Sequence, residues 1–386
     1  MLDRLVKSLT SLRLTVVLLC AGLLLVFVGT LAQVHEGLYQ AQTRYFKSWF
    51  VWRPTMGDYQ WPILLPGGYL LGTLLIVNLL AAHATRFKFT KKKIGILLVH
   101  AGVVCLLLGQ LLTDAFSSES AMQLSEGEAK NYSQDFRANE LVVIDTTDPQ
   151  HDEVVSIAEE LAATSKEIRP EKLPFALRIL NYWPNAALFT HSTNGSIPVA
   201  ATKGVGPGLH LVPLRPTTSS DERNVPSAIV EVVTPQSSLG SWLVSCELGA
   251  GQEFTYQNRS YQLALRFKRY YKPFSLKLEK FTHEKYRGTE IPKNFASRVR
   301  IERPDTGENR EVLIYMNNPL RYNGETYYQA GFSPKNDQLV HKVTILQVVR
   351  NPSWLTPYFS CVLVALGLIV QFLTHLIGFA AKWRTA

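Results

Sequence analysis

The amino-acid sequence predicts an integral membrane protein with four transmembrane α-helices and a large extracytoplasmic, mainly-β domain inserted between helices 3 and 4. Three observations predict it. Apolar stretches of membrane-crossing length lie at about 14–33, 62–83 and 94–113, and again over 356–380. Lys and Arg gather beside them, at Arg4, Lys7 and Arg13, between Arg86 and Lys93, and at Lys382 and Arg384. Between the third and fourth stretches the chain is polar and broken into short alternating segments. The chain thus divides into an N-terminal membrane part, 1–113, a β-rich domain, 114–355, and a last helix with a short cytoplasmic tail, 356–386.

The first apolar run is too long for a cleaved signal sequence and has no clear small-x-small site after it, so it is expected to stay as a helix. The connector 34–61 is polar and aromatic, with Tyr45, Trp49, Phe50, Trp52, Tyr59 and Trp61 among its rings. Such rings serve either as an interfacial belt or as a shelf for a flat apolar ligand. The loop between the second and third helices is strongly basic, which places it in the cytoplasm. Both termini then lie on that side, and the connector and the block 114–355 lie outside. The net charge of +9 is partly explained by this asymmetry, and nucleic-acid binding is not read from it.

The polar block contains β-branched or alternating runs at 141–144, 175–179, 228–233, 241–245, 261–267, 296–301 and 342–349. Turn signals separate them, including Asn194-Gly195, Thr234-Pro235 and Asn323-Gly324. The spacing suggests a sandwich or a barrel. Residues 153–166 read as one helix, and 190–223 as a long excursion.

The third helix carries the chemistry. Gly95, Gly102 and Gly109 recur every seven residues and share one face, open to close approach by another helix. His100 lies about 200° around the helix from Gly102, at about 100° per residue, so it points to a different neighbour or to a ligand. It sits roughly 10 Å in from Ile94 at about 1.5 Å per residue. An ionisable residue inside a membrane helix is a functional candidate. A neutral imidazole in apolar surroundings suits an axial ligand of haem iron. The rival reading is a histidine bonded to a backbone carbonyl or hydroxyl of a neighbouring helix. His83 and His375, at the feet of helices two and four, read as interfacial anchors. His151, His191, His210, His283 and His341 have no metal-ligand spacing.

Other signatures are absent. Of the four cysteines, Cys20, Cys105 and Cys361 fall in apolar runs, and only Cys246 lies in the polar block. There is no Cys-x-x-Cys, Walker loop, dinucleotide fingerprint or Gly-x-Ser-x-Gly, so no self-contained catalytic site is expected.

Several stretches resemble the ResB family of cytochrome c biogenesis proteins. They are Gly29-Thr30-Leu31-Ala32-Gln33, Tyr45-Phe46-Lys47-Ser48-Trp49-Phe50, the glycine-spaced helix around His100, and Pro292-Lys293-Asn294-Phe295-Ala296-Ser297-Arg298-Val299. The most specific is Asn317-Asn318-Pro319-Leu320-Arg321-Tyr322-Asn323-Gly324-Glu325-Thr326-Tyr327-Tyr328-Gln329-Ala330-Gly331. The middle, 120–260, is not matched. The resemblance implies a system II subunit in the bacterial inner membrane that works with a CcsA-type membrane protein. Together they would carry haem across the membrane, held transiently and shared between them, and present it to apocytochrome c. The family's membrane histidine ligand maps onto His100, as a provisional axial ligand of haem iron. The partner's tryptophan-rich haem-binding segment has no counterpart here, so this chain resembles one half of a synthase.

Three rivals remain. A membrane-anchored adaptor would bind a protein partner through its β domain, with His100 replaceable. A transporter subunit would show repeats or broken helices. A cytochrome b subunit would pair histidines at matched depth, and none is expected here, with His83 and His375 nearer the surface.

Overall fold

The computed structural model describes residues 2–56, 59–86, 90–217, 222–289, 292–333 and 343–384. Lys88, His341 and Lys342 lie outside the described residues. The chain forms two compact units, one of residues 1–118 and 351–386, the other of 119–217 and 222–350.

The first unit is helical. Helix α1 spans Leu2–Leu9, α2 Leu12–Glu36, α3 Leu38–Ala41, α4 Gly68–Arg86, α5 Ile94–Phe116 and α7 Thr356–Arg384, while α6, Glu159–Thr164, belongs to the second unit. Among the described residues, four helices are long and apolar enough to cross a membrane: Leu12–Glu36, Gly68–Thr85, Lys91–Phe116 and Thr356–Ala380.

Helix α2 begins where the Ser11 Oγ accepts from the Arg13 amide, and it ends at Gly37, whose φ of +80° few other residues adopt. Helix α4 starts later than the apolar pattern suggests, at Gly68 and not at Pro62. The intervening Leu64–Pro66 is a short strand paired with Phe50–Trp52. Gly67 and Gly68 then pass so close to the connector that a Cβ on either would collide with a backbone carbonyl, that of Ser48 or that of Phe46. This contact fixes the start of α4, which then runs on to Arg86.

The apolar helices pack as two pairs. In the first, α2 meets α4 through Leu18, Leu25, Val28 and Leu71. The buried Asn78 of α4 closes the contact. Its Oδ1 accepts from Thr15 Oγ1 at 2.6 Å and its Nδ2 donates to the Leu9 carbonyl at 2.6 Å. In the second pair α5 packs along α7, and the expected glycine face is the contact. A Cβ on Gly95 would lie 2.7 Å from the Gly367 carbonyl oxygen, and one on Gly102 2.6 Å from Val364 Cγ2. One on Gly109 would collide with Thr356 Cγ2. Gly367 answers from α7, 2.7 Å from the Val99 amide nitrogen by the same measure.

The second unit is mainly β. Its large sheet runs through Glu308–Tyr315, Pro292–Arg303, Arg259–Lys285, Ala129–Asp145, Ser118–Ser125, Val343–Arg350, Glu325–Ser333 and Leu320–Tyr322, with Gln252–Tyr256 and Glu153–Ala158 beside it. A second sheet orders Ser238–Ser245, Ser227–Val233, Ala176–Trp183 and Glu167–Ile168. Two large cores result, both threaded by the long strand Arg259–Lys285. In one, Leu141, Val143 and Leu263 of the large sheet face Leu177, Val230 and Trp242 of the second, a sandwich. In the other, the large sheet curls on itself, so Ile301 and Ile314 from one end share a core with Leu320 and Tyr327 from the other.

The expected helix at 153–166 divides into a strand, Glu153–Ala158, and the short α6. Val154, Val155 and Ile157 are β-branched and pair with Ala129–Asp145, which overrides the helical pattern up to Glu159. The excursion 190–223 is partly ordered as a small sheet of Ala186–Phe189, His210–Pro213 and Ile197–Pro198.

Replacing Gly102 by Leu inserts a side chain where no Cβ fits, at a cost of about 1–3 kcal/mol by overpacking. Thermal unfolding in detergent should show a lowered midpoint for Gly102→Leu. Val103→Leu, on an exposed position of the same helix, should leave it unchanged.

Candidate functional site

The glycine seam faces α7, and that sets the rotation of α5. His100 accordingly points to α4 and not to α7. There it meets His83, with His100 Nδ1 3.1 Å from His83 Nε2. The rings are edge to face, centroids 4.8 Å apart at 86°. His83 Nδ1 lies 2.9 Å from the Leu79 carbonyl oxygen of its own helix. Both imidazoles are half-buried. The expectation that His100 lacks a partner at its own depth is therefore corrected. Because α4 runs on to Arg86, His83 sits within its last turn and not below its foot. His375 stays apart, exposed on α7, with Nε2 2.7 Å from Gln371 Nε2.

The chemistry of the acceptors fixes the protons. A carbonyl oxygen can only accept, so His83 Nδ1 carries a hydrogen and donates it. In a neutral ring Nε2 is then an acceptor. It accepts from His100 Nδ1–H, which leaves His100 Nε2 with an uncommitted lone pair. Among the described residues no hydrogen bond is made by that atom. One neutral nitrogen donor between apolar helices suits a haem iron or another metal already ligated elsewhere. Among the described residues no three His, Cys, Asp or Glu side chains gather as a metal site of their own.

A second polar contact joins α4 to α5 at their other ends. Asp114 accepts from the Tyr69 hydroxyl and from Lys47 Nζ, the latter at 2.5 Å. The sequence pattern marks Asp114 only as the end of an apolar run. Nearby, Arg44 gathers the connector, donating to Glu36 Oε1 at 2.5 Å and to the Trp52 and Arg53 carbonyls at 2.8 and 2.6 Å. Tyr45 is fully buried, and its hydroxyl accepts from the Thr55 amide at 2.7 Å. Trp49, Phe50, Trp52, Tyr59 and Trp61 remain exposed, so the connector presents an aromatic surface.

In the β unit Lys272 and Ser297 are committed to structure. Lysine acts as a nucleophile only with a free amine, and the buried Lys272 Nζ is tied to Glu325 Oε1 at 2.8 Å, while Tyr327 donates to Glu325 Oε2 at 2.7 Å. Ser297 is fully buried and bonded to Gln329 Oε1 at 2.5 Å and Thr344 Oγ1 at 2.8 Å. Asn323 and Gly324, with φ of +50° and +77°, form the two-residue turn that joins Leu320–Tyr322 to Glu325–Ser333. The stretch 317–331 is thus accounted for by turn geometry and core packing.

The arrangement defines a protein of membrane-length helices with a histidine pair between them and a separate β unit. The family match falls in that β unit. Residues 240–345 match the ResB-like family, and the resemblance read from the sequence is shown over that stretch. The chain is also similar to Protein NrfI of Wolinella succinogenes, 32% identical over 97 residues. That alignment covers 25% of this chain and 10% of NrfI, so the chain spans a small part of the relative it matches.

Burial, reinforced by the nearby Glu159 carboxylate, pushes the Cys246 thiol up to about 12. A raised thiol pKa means the neutral form dominates at every pH below it, and the thiolate is the reactive species. Maleimide labelling at pH 8 should therefore be roughly a thousandfold slower for Cys246 than for an ordinary thiol of pKa about 8.5. Mass spectrometry of native and denatured protein would measure the ratio.

Proposed function

We propose that this chain is a ResB-like subunit of a cytochrome c biogenesis complex in a bacterial inner membrane, and that haem is its cargo. The two similarities support the role in cytochrome c biogenesis. The observation that carries the haem reading is the uncommitted His100 Nε2, held between apolar helices. His100 Nε2 would hold haem through its iron, which supplies a Lewis-acidic centre for this nitrogen when bound. The residues of this chain would bind and orient: His100 as ligand, the apolar walls of α4 and α5 to exclude water, the exposed connector rings as a flat surface. The basic residues Lys91 to Lys93 support a cytoplasmic position for that end of α5. The chemistry of attachment is assigned to a CcsA-type partner, with apocytochrome c as acceptor outside the membrane.

One observation favours a second reading. The family match falls in the β unit and not on the histidine helix. An adaptor that binds a protein partner through that unit, with helices that only anchor it, would give the same match.

Visible absorption separates the two. The detergent-purified chain, co-expressed with a CcsA-type partner, should show a Soret band that weakens or vanishes in His100→Ala and returns with added imidazole. Full haem retention and normal cytochrome c maturation in His100→Ala would remove His100 from the mechanism, and no pigment in either form would favour the adaptor.

A further inference from the structure

An imidazole can ligate a metal through Nε2 only when that nitrogen carries no proton. Neutral histidine exchanges readily between its two tautomers, so a ligand nitrogen is kept bare only if something holds the proton on the other one. On α5 itself nothing does so, since no residue other than His83 hydrogen-bonds the His100 ring among the described residues. The holder is on α4.

We propose that His83 is a positioning residue for His100 and not a second ligand. The chain of bonds has one direction. The Leu79 carbonyl accepts from His83 Nδ1–H at 2.9 Å, and His83 Nε2 accepts from His100 Nδ1–H at 3.1 Å. Each acceptor forces the tautomer of the next ring, and the series ends at a bare His100 Nε2. The edge-to-face contact at 86° also limits rotation of the His100 ring. An acceptor on the far nitrogen fixes ring orientation and raises the basicity of the ligating one.

The same bond argues against His83 as a second ligand. His83 Nδ1 donates to the Leu79 carbonyl and His83 Nε2 accepts from His100 Nδ1–H, so neither nitrogen of His83 keeps a lone pair for a metal. A further ligand would have to come from outside this pair.

This inference rests on the haem reading for its purpose but not for its test. The full chain, labelled with ring-¹⁵N histidine and held haem-free in lipid nanodiscs, reports tautomers by its nitrogen shifts, with His100→Ala assigning the signal. Wild type should show His100 protonated at Nδ1 alone. His83→Ala should give a mixture of tautomers. His83→Gln, whose amide oxygen can take over as acceptor from the lost Nε2, should restore the single form. Haem titration of the same proteins should show affinity reduced roughly 10–100-fold in His83→Ala, the usual cost of losing an outer partner. His83→Gln should recover the affinity and the wild-type spectrum.

An unchanged His100 tautomer in His83→Ala would overturn the proposal. So would a His83→Gln spectrum that has lost a ligand, which would make His83 an axial ligand itself. If wild type bound no haem while the tautomers responded as described, the cargo reading would fall and the positioning role would stand.

Discussion

The interaction on which the histidine site depends is the hydrogen bond between His100 and His83. A polar ring in a lipid-length helix must find a partner within protein, because hydrocarbon offers none. The pair meets that need internally and in a way that leaves one nitrogen over. A histidine present only for packing would be expected to use both of its nitrogens or to reach the membrane surface. Among the described residues His100 bonds through Nδ1 alone.

The orientation of the pair is set one step earlier, by the seam of Gly95, Gly102 and Gly109. Those residues admit α7 so closely that α5 cannot rotate without clashes. His100 lies on another side of the helix, so close packing on one face aims the imidazole on the other. Asn78 plays the corresponding part in the first pair, tying α4 to the start of α2 and so placing His83. The two pairs of helices meet at α4 and α5 through polar contacts, His83 with His100 and Tyr69 with Asp114.

The helices, the glycine face and the direction of His100 away from it are legible in the sequence because they follow from local periodicity. So is the Asn323-Gly324 turn, since few other residue pairs accept positive φ twice in succession. The histidine pair is not legible. It depends on where α4 begins, and that is decided by Ser48 and Phe46 in the connector, which no hydropathy pattern reports. Starting α4 at Pro62 puts His83 at the foot of the helix; starting it at Gly68 draws His83 inside, opposite His100. The division of 153–166 into strand and helix escapes the sequence pattern for a similar reason, because pairing with Ala129–Asp145 outweighs local preference.

The family match and the histidine pair fall on different parts of the chain. Within the matched stretch 240–345, several described residues serve as scaffolding: a tight turn at Asn323-Gly324, a buried Ser297–Gln329–Thr344 network, a Lys272–Glu325 pair closed by Tyr327. Similarity there argues for a shared fold of the β unit. The unbonded imidazole nitrogen of His100 lies outside that stretch. A fold shared over 240–345 does not by itself carry a function, whereas the histidine pair is a local arrangement with chemistry of its own.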